Sequence, residues 1–100
     1  MSTPLVIDEQ ALAELCRRHR IRELSLFGSA VRDDFGPDSD VDLLLVFEDN
    51  HHPGIDEYLA MQDDFKALFN REVDLVNLKY LRNPFLRKEV LSTRKVVHAA

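Results

Sequence analysis

The residues with the means to do chemistry lie close together. Leu26-Phe27-Gly28-Ser29-Ala30-Val31-Arg32 is followed by Pro37-Asp38-Ser39-Asp40-Val41-Asp42-Leu43-Leu44-Leu45-Val46. In outline this is Gly-Ser, ten residues, then Asp-x-Asp running straight into an apolar strand. Side chains alternate along a strand with a period of two, so Asp40 and Asp42 project from one face, roughly 6.5–7 Å apart at the backbone. Like carboxylates at close range beside an apolar strand cannot both stay ionised cheaply. A hard cation offsets that cost, and Mg²⁺ is held by one or two carboxylates together with substrate phosphates. The spacing lets the pair converge on one or two such ions. A third acid, Asp74, lies in Val73-Asp74-Leu75-Val76, an otherwise apolar strand where an unpaired carboxylate is expensive. If the two strands are neighbours, Asp74 reaches the same cluster.

The Gly-Ser pair supplies the complementary half. Gly28 ends a strand and Ser29 opens a helical turn, which combines backbone N–H groups, a hydroxyl donor and no Cβ to block a phosphate. Arg32, one turn on, adds a cation, and Ser39, directly before Asp40, joins Gly28, Ser29 and Arg32 as a candidate nucleotide-binding residue. Such an assembly holds a triphosphate between a donor-rich turn and metal-loaded carboxylates. From average residue usage, Gly-Ser-x10-Asp-x-Asp arises by chance at roughly one position in 10⁵, so composition alone does not explain it.

Positioning these groups requires a small sheet. Leu12, Leu15, Cys16 and His19 follow helical spacing and predict an amphipathic helix over 8–20, with Asp8 as N-cap. Residues 21–27 alternate apolar and polar as a strand, 30–35 make one helical turn, and 41–47 form a dense apolar strand of the kind buried on both faces. A loop at 50–54 leads to a helix over 55–69 carrying Tyr58, Met61, Phe65, Leu68 and Phe69 on one side. A strand over 72–78, a break at Pro84, a helix over 85–93 and a short strand over 95–99 complete the chain. The order α-β-(turn)-β-α-β-α-β predicts an α/β (α+β) fold, a small mixed sheet flanked by helices.

Composition agrees. One hundred residues, 45% hydrophobic and 31% charged, read as one domain spanning 1–100. The longest apolar run, Leu43 to Phe47, is far below the roughly 20 residues of a membrane-spanning helix. The start has neither a basic n-region nor a long apolar h-region, so a cytoplasmic location is expected. A single cysteine, Cys16, excludes an internal disulfide and any multi-cysteine zinc site. The net charge of −5 divides unevenly: residues 33–74 carry 13 acids against two bases, whereas the flanks hold 11 bases and five acids. An acidic centre repels phosphates unless a cation intervenes, and a divalent metal there resolves the conflict.

On Gly28-Ser29, Asp40-x-Asp42, the strand with Asp74 and the basic C-terminal segment, the chain resembles the nucleotidyltransferase superfamily of the DNA polymerase β type, in the form of the minimal nucleotidyltransferase (MNT) domain. The resemblance spans nearly the whole chain. Its one local departure is Asp33, where many relatives have Gly after the arginine of the turn. The resemblance implies that Gly28 and Ser29 bind nucleotide phosphates, and that Asp40, Asp42 and Asp74 ligate Mg²⁺, as two ions, with Asp74 also the base toward the attacking hydroxyl. It further implies an antitoxin that transfers AMP from ATP to a tyrosine of a HEPN-domain toxin, as in type VII toxin–antitoxin pairs. Two rivals remain: an antitoxin that neutralises its partner by stoichiometric contact, and a nucleotidyltransferase acting on RNA ends or a small molecule.

Other residues carry weaker signals. His51-His52 are adjacent in a loop and poorly arranged to chelate together, and Cys16, Tyr58, Met61 and Phe65 read as core. Arg17, Arg18, Arg20 and Arg22, with Arg82, Arg87, Lys88, Arg94 and Lys95, form either solvated faces or a surface for an acidic partner or RNA. Tyr80 is a candidate contact or adduct site.

Overall fold

A computed structural model describes residues 7–28 and 40–99. The elements are α1 (Glu9–Arg18), β1 (Ile21–Phe27), β2 (Val41–Phe47), α2 (Ile55–Phe69), β3 (Val73–Asn77), α3 (Pro84–Thr93) and β4 (Lys95–Ala99), with a 3₁₀ turn (Leu78–Tyr80) after β3. The mixed α/β architecture is the expected one. The helical turn expected over 30–35 lies outside the described residues.

The four strands form one sheet in the order β3-β2-β1-β4. β1 is antiparallel to both β2 and β4, whereas β2 and β3 are parallel, joined through α2 as a crossover. The most apolar strand, β2, is therefore interior to the sheet, as its composition requires. Val41, Leu43, Leu45 and Phe47 share one core with Leu24 and Leu26 of β1, Leu12 and Cys16 of α1, and Met61, Phe65 and Phe69 of α2. Leu44 and Val90 are buried but lie outside that cluster. Helices α1 and α2 thus seal one face of the sheet, and α3 lies over the other.

Local chemistry sets the boundaries. Asp8 caps α1 by accepting from the Ala11 N–H at 3.1 Å. The helix ends two residues before the expected limit because His19 is its C-cap and Arg20 turns at φ +57°. His19 is buried, its Nε2 2.9 Å from Asp64 Oδ2 of α2, which ties the two helices together. Asn70 ends α2 in the left-handed conformation that asparagine tolerates. β3 stops at Asn77, one residue short of expectation, because the Asn77 side chain accepts from the Lys79 N–H and starts the 3₁₀ turn. Asn83 caps α3 by accepting from the Phe85 and Leu86 N–H groups, and Pro84 occupies the first helical position.

Cys16 is fully buried, and burial pushes its thiol from 9.0 up to about 12. Because the folded value exceeds the unfolded one, the protonated thiol's contribution to stability is complete below about pH 9 and is lost as pH rises toward 12. Iodoacetamide at about pH 8 is therefore expected to leave Cys16 unmodified in the folded protein and to label it fully in urea. Rapid labelling without denaturant would contradict this packing.

Candidate functional site

The site forms at the end of the sheet where β1 finishes and β2 and β3 begin. The antiparallel register sets Phe27 opposite Asp42, and the parallel register sets Asp42 beside Asp74. Adjacent strands run about 4.8 Å apart, so Asp42 and Asp74 are cross-strand neighbours on one face. The pairing is fixed next to the acids themselves: the Val41 N–H donates to the Glu72 carbonyl at 2.9 Å. Asp40 directly precedes β2 and shares the parity of Asp42. Asp42 is half-buried, and Asp40 and Asp74 are exposed. Since Val41, Leu43 and Leu45 belong to the core, alternation sends Asp42 to the face that carries α3.

Gly28 completes this corner. Its φ is +64°, in the left-handed region, and a Cβ there would clash with Asp42 Oδ2 and lie 3.2 Å from Asp42 Cγ. Both the backbone and the space beside the carboxylate therefore require glycine. Ser29, Arg32 and Ser39, the other expected nucleotide-binding residues, lie outside the described residues.

A cleft of about 460 Å³ opens over Asp42, within the size range of small-ligand sites. Phe27, Gly28 and Asp42 form its floor. Its other wall is a single stripe of α3, Leu86, Glu89, Val90 and Thr93, at helical i, i+3, i+4, i+7 spacing. Two arginines brace that helix: Arg87 donates to the Leu78 and Leu81 carbonyls at 2.7 and 3.2 Å, and Arg94 pairs with Glu23 of β1. Glu89 was not among the sequence candidates. Its helical stripe was visible as periodicity, but the face it turns to the aspartates is set by how α3 crosses the sheet.

A second cleft, about 340 Å³, lies at the opposite end of β2, lined by His51, His52, Lys79 and Tyr80 among others. It holds none of the clustered aspartates. His51 is 2.8 Å from Glu57 and packs on Phe47, and His52 Nδ1 is 3.3 Å from Lys79 Nζ, so the two histidines take separate partners. Met61 and Phe65 are fully buried, and the half-buried Tyr58 accepts from Asn77 through its hydroxyl at 2.9 Å. Several basic candidates are engaged within the chain: Arg18 with Asp64, Arg22 with Asp49, Arg87 with carbonyls and Arg94 with Glu23.

Chemically, the corner offers oxygen donors only, from carboxylates on two adjacent strands. Among the described residues, no three His, Cys, Asp or Glu side chains are gathered closely enough to hold a metal ion by themselves. Carboxylate oxygens are the donor type that Mg²⁺ takes, completed by substrate phosphates and water. Among the described residues, no helix is long and apolar enough to cross a membrane.

A mixed sheet with carboxylates in register at its mouth and a glycine packed against them is the arrangement expected of a nucleotidyltransferase. The nucleotidyltransferase domain model matches residues 8–97, and the chain belongs to that family. It is 38% identical over 85 residues, 85% of this chain and 81% of the relative, to the protein adenylyltransferase MntA of Thermococcus cleftensis. Its fold is similar to that of a toxin–antitoxin crystal structure with AMP-PNP, with TM-score 0.74 and 19% identity over 94% of this chain and 75% of that one. It is likewise similar to a chain in the complex of tri-AMPylated Shewanella oneidensis HEPN toxin with MNT antitoxin, with TM-score 0.65, 18% identity and 92% and 70% coverage.

The substitution Gly28→Ala is expected to lower stability by at least about 1 kcal/mol in urea denaturation, since it combines a positive φ with a clash. Asp42→Gly in the same background should recover part of that loss by removing the clashing carboxylate. A neutral Gly28→Ala would contradict the close approach.

Proposed function

We propose that this chain transfers AMP from ATP to a tyrosine hydroxyl of a HEPN-domain toxin and so acts as its antitoxin. The observation that carries the reading is the register pair Asp42–Asp74 with Gly28 packed against Asp42, in a chain 38% identical to a protein adenylyltransferase. Residues 1–100 then act as a single minimal nucleotidyltransferase domain in the cytoplasm.

In this reading Asp40, Asp42 and Asp74 would hold Mg²⁺, as two ions. Bound there, divalent ions neutralise phosphate charge and lower the pKa of the attacking hydroxyl. Gly28, with Ser29, Arg32 and Ser39, orients the triphosphate so that its α-phosphorus faces the acids. Asp74 lies on β3, at an edge of the sheet, where a large protein acceptor has access. It takes the phenolic proton as the tyrosyl oxygen bonds to the α-phosphorus. The bond from the α-phosphorus to the bridging oxygen breaks, and pyrophosphate leaves with that electron pair. Arg82, Lys88 and Lys95 on the exposed surface give an acidic partner segment its complement.

The test is intact mass of the HEPN partner co-expressed with the wild-type chain or with Asp40→Asn/Asp42→Asn. An AMP-sized adduct on the partner with wild type alone is the expected result. Silencing of the partner by the double variant, with no adduct in either case, would replace this reading with stoichiometric neutralisation.

A further inference from the structure

Resting on the nucleotide-transfer reading, we infer that the stripe of α3 facing Asp42 is the nucleoside wall of the site, and that Glu89 selects a ribonucleotide by accepting hydrogen bonds from its ribose hydroxyls.

Three observations lead there. First, the cleft includes Gly28 and Asp42 but not Asp74. It therefore opens on the β1 side of the aspartates, where the phosphate-binding turn begins, and not on the β3 side, where the acceptor approaches. A ligand anchored by its phosphates at Gly28 extends its nucleoside into this space. Second, the α3 wall is amphipathic along its own stripe. Leu86 and Val90, with Phe27 across the cleft, supply apolar surface for a nucleoside, whereas Glu89 and Thr93 are its polar members. Third, the polar members are not equivalent. The Thr93 hydroxyl donates to the Glu89 backbone carbonyl at 2.8 Å, whereas the Glu89 carboxylate pairs with no cation among the described residues. An ionised carboxylate only accepts hydrogen bonds, so its ligand must present donors.

The order along the helix assigns those donors. β4 begins at Lys95, opposite Leu26, which places the C-terminal end of α3 beside the end of β1 and Leu86 farther from it. Thr93 to Leu86 spans seven residues, about 10 Å of helix, the length of a ribose and a base end to end. The group next to the phosphates is the ribose, and its 2′ and 3′ hydroxyls are the donors within reach of Glu89. Val90, one residue nearer the phosphates than Glu89, then lies beside the ribose, and the base lies against Leu86.

The test is direct binding to this chain, measured by calorimetry with Mg²⁺ and without acceptor, so that it does not depend on transfer. ATP, 2′,3′-dideoxy-ATP and ITP are compared on wild type, Glu89→Gln and Phe85→Ala. Phe85 is on the same helix and 85% exposed, which makes it the control. Wild type and Phe85→Ala should bind ATP about 10- to 100-fold more tightly than the dideoxy analogue, the range for hydrogen bonds to a charged group. In Glu89→Gln that ratio should fall to within about threefold, with dideoxy-ATP binding little changed. Equal ribo and dideoxy affinities in wild type overturn the inference and leave the transferase reading intact. A ratio that collapses for ITP instead assigns Glu89 to the base and overturns it too. A shift only in the Mg²⁺ dependence moves Glu89 to the metal centre and likewise overturns the inference. Absence of any ATP binding to wild type removes the nucleotide reading itself.

Discussion

Two carboxylates held side by side on neighbouring strands are the constraint around which this molecule is built. Like charges directly across a strand pair are destabilising, and here the parallel register of β2 and β3 imposes that arrangement on Asp42 and Asp74. The strands cannot slip to relieve it, because a one-residue shift would turn Leu43 and Leu45 out of the core. The Val41 to Glu72 hydrogen bond pins the pairing at the same point. Hydrophobic burial on one face of β2 thus fixes the two acids side by side on the other, where, in the proposed reading, a divalent cation would bridge them.

The two faces of the sheet divide the labour accordingly. Helices α1 and α2 close one face with Cys16, Met61 and Phe65, all fully buried. Helix α3 buries only Val90 and is braced by Arg87 and Arg94 rather than by a core of its own. That leaves a cleft between α3 and Asp42 wide enough for a ligand, bounded by a helix whose position is set by polar contacts. Gly28 belongs to both parts: it ends β1 in a conformation few other residues adopt, and its missing Cβ leaves room for the Asp42 carboxylate.

Much of this was readable before any fold was known, for identifiable reasons. β1 and β2 have the limits expected from period-two alternation and the apolar run, because both patterns end at polar or glycine residues. Asp74 was singled out by its cost, an acid in an apolar strand, and the parallel pairing of β2 and β3 sets it beside Asp42. The ends of α1 and β3 were missed by one or two residues because single side chains or a positive φ decide them, at Arg20 and Asn77. That Glu89 lines the cleft was not readable, because a helical stripe does not announce what it faces. The basic flanks read equally as solvated faces or a partner surface, and four of their arginines are engaged in contacts within the chain. The family was legible from the motif; the wall opposite it required the crossing of α3.

The most direct test of the shared carboxylate site is a double-mutant cycle on stability. Wild type, Asp42→Asn, Asp74→Asn and the double variant would be unfolded in urea, without and with saturating Mg²⁺ and AMP-PNP. Without the metal, the cycle should show an unfavourable coupling of about 0.5–1 kcal/mol between the two acids. With metal and nucleotide, wild type should be stabilised, each single variant should lose most of that gain, and the double should lose little more than either. Zero coupling in the first condition, with equal stabilisation of all four proteins in the second, would show that Asp42 and Asp74 do not act on a common cation.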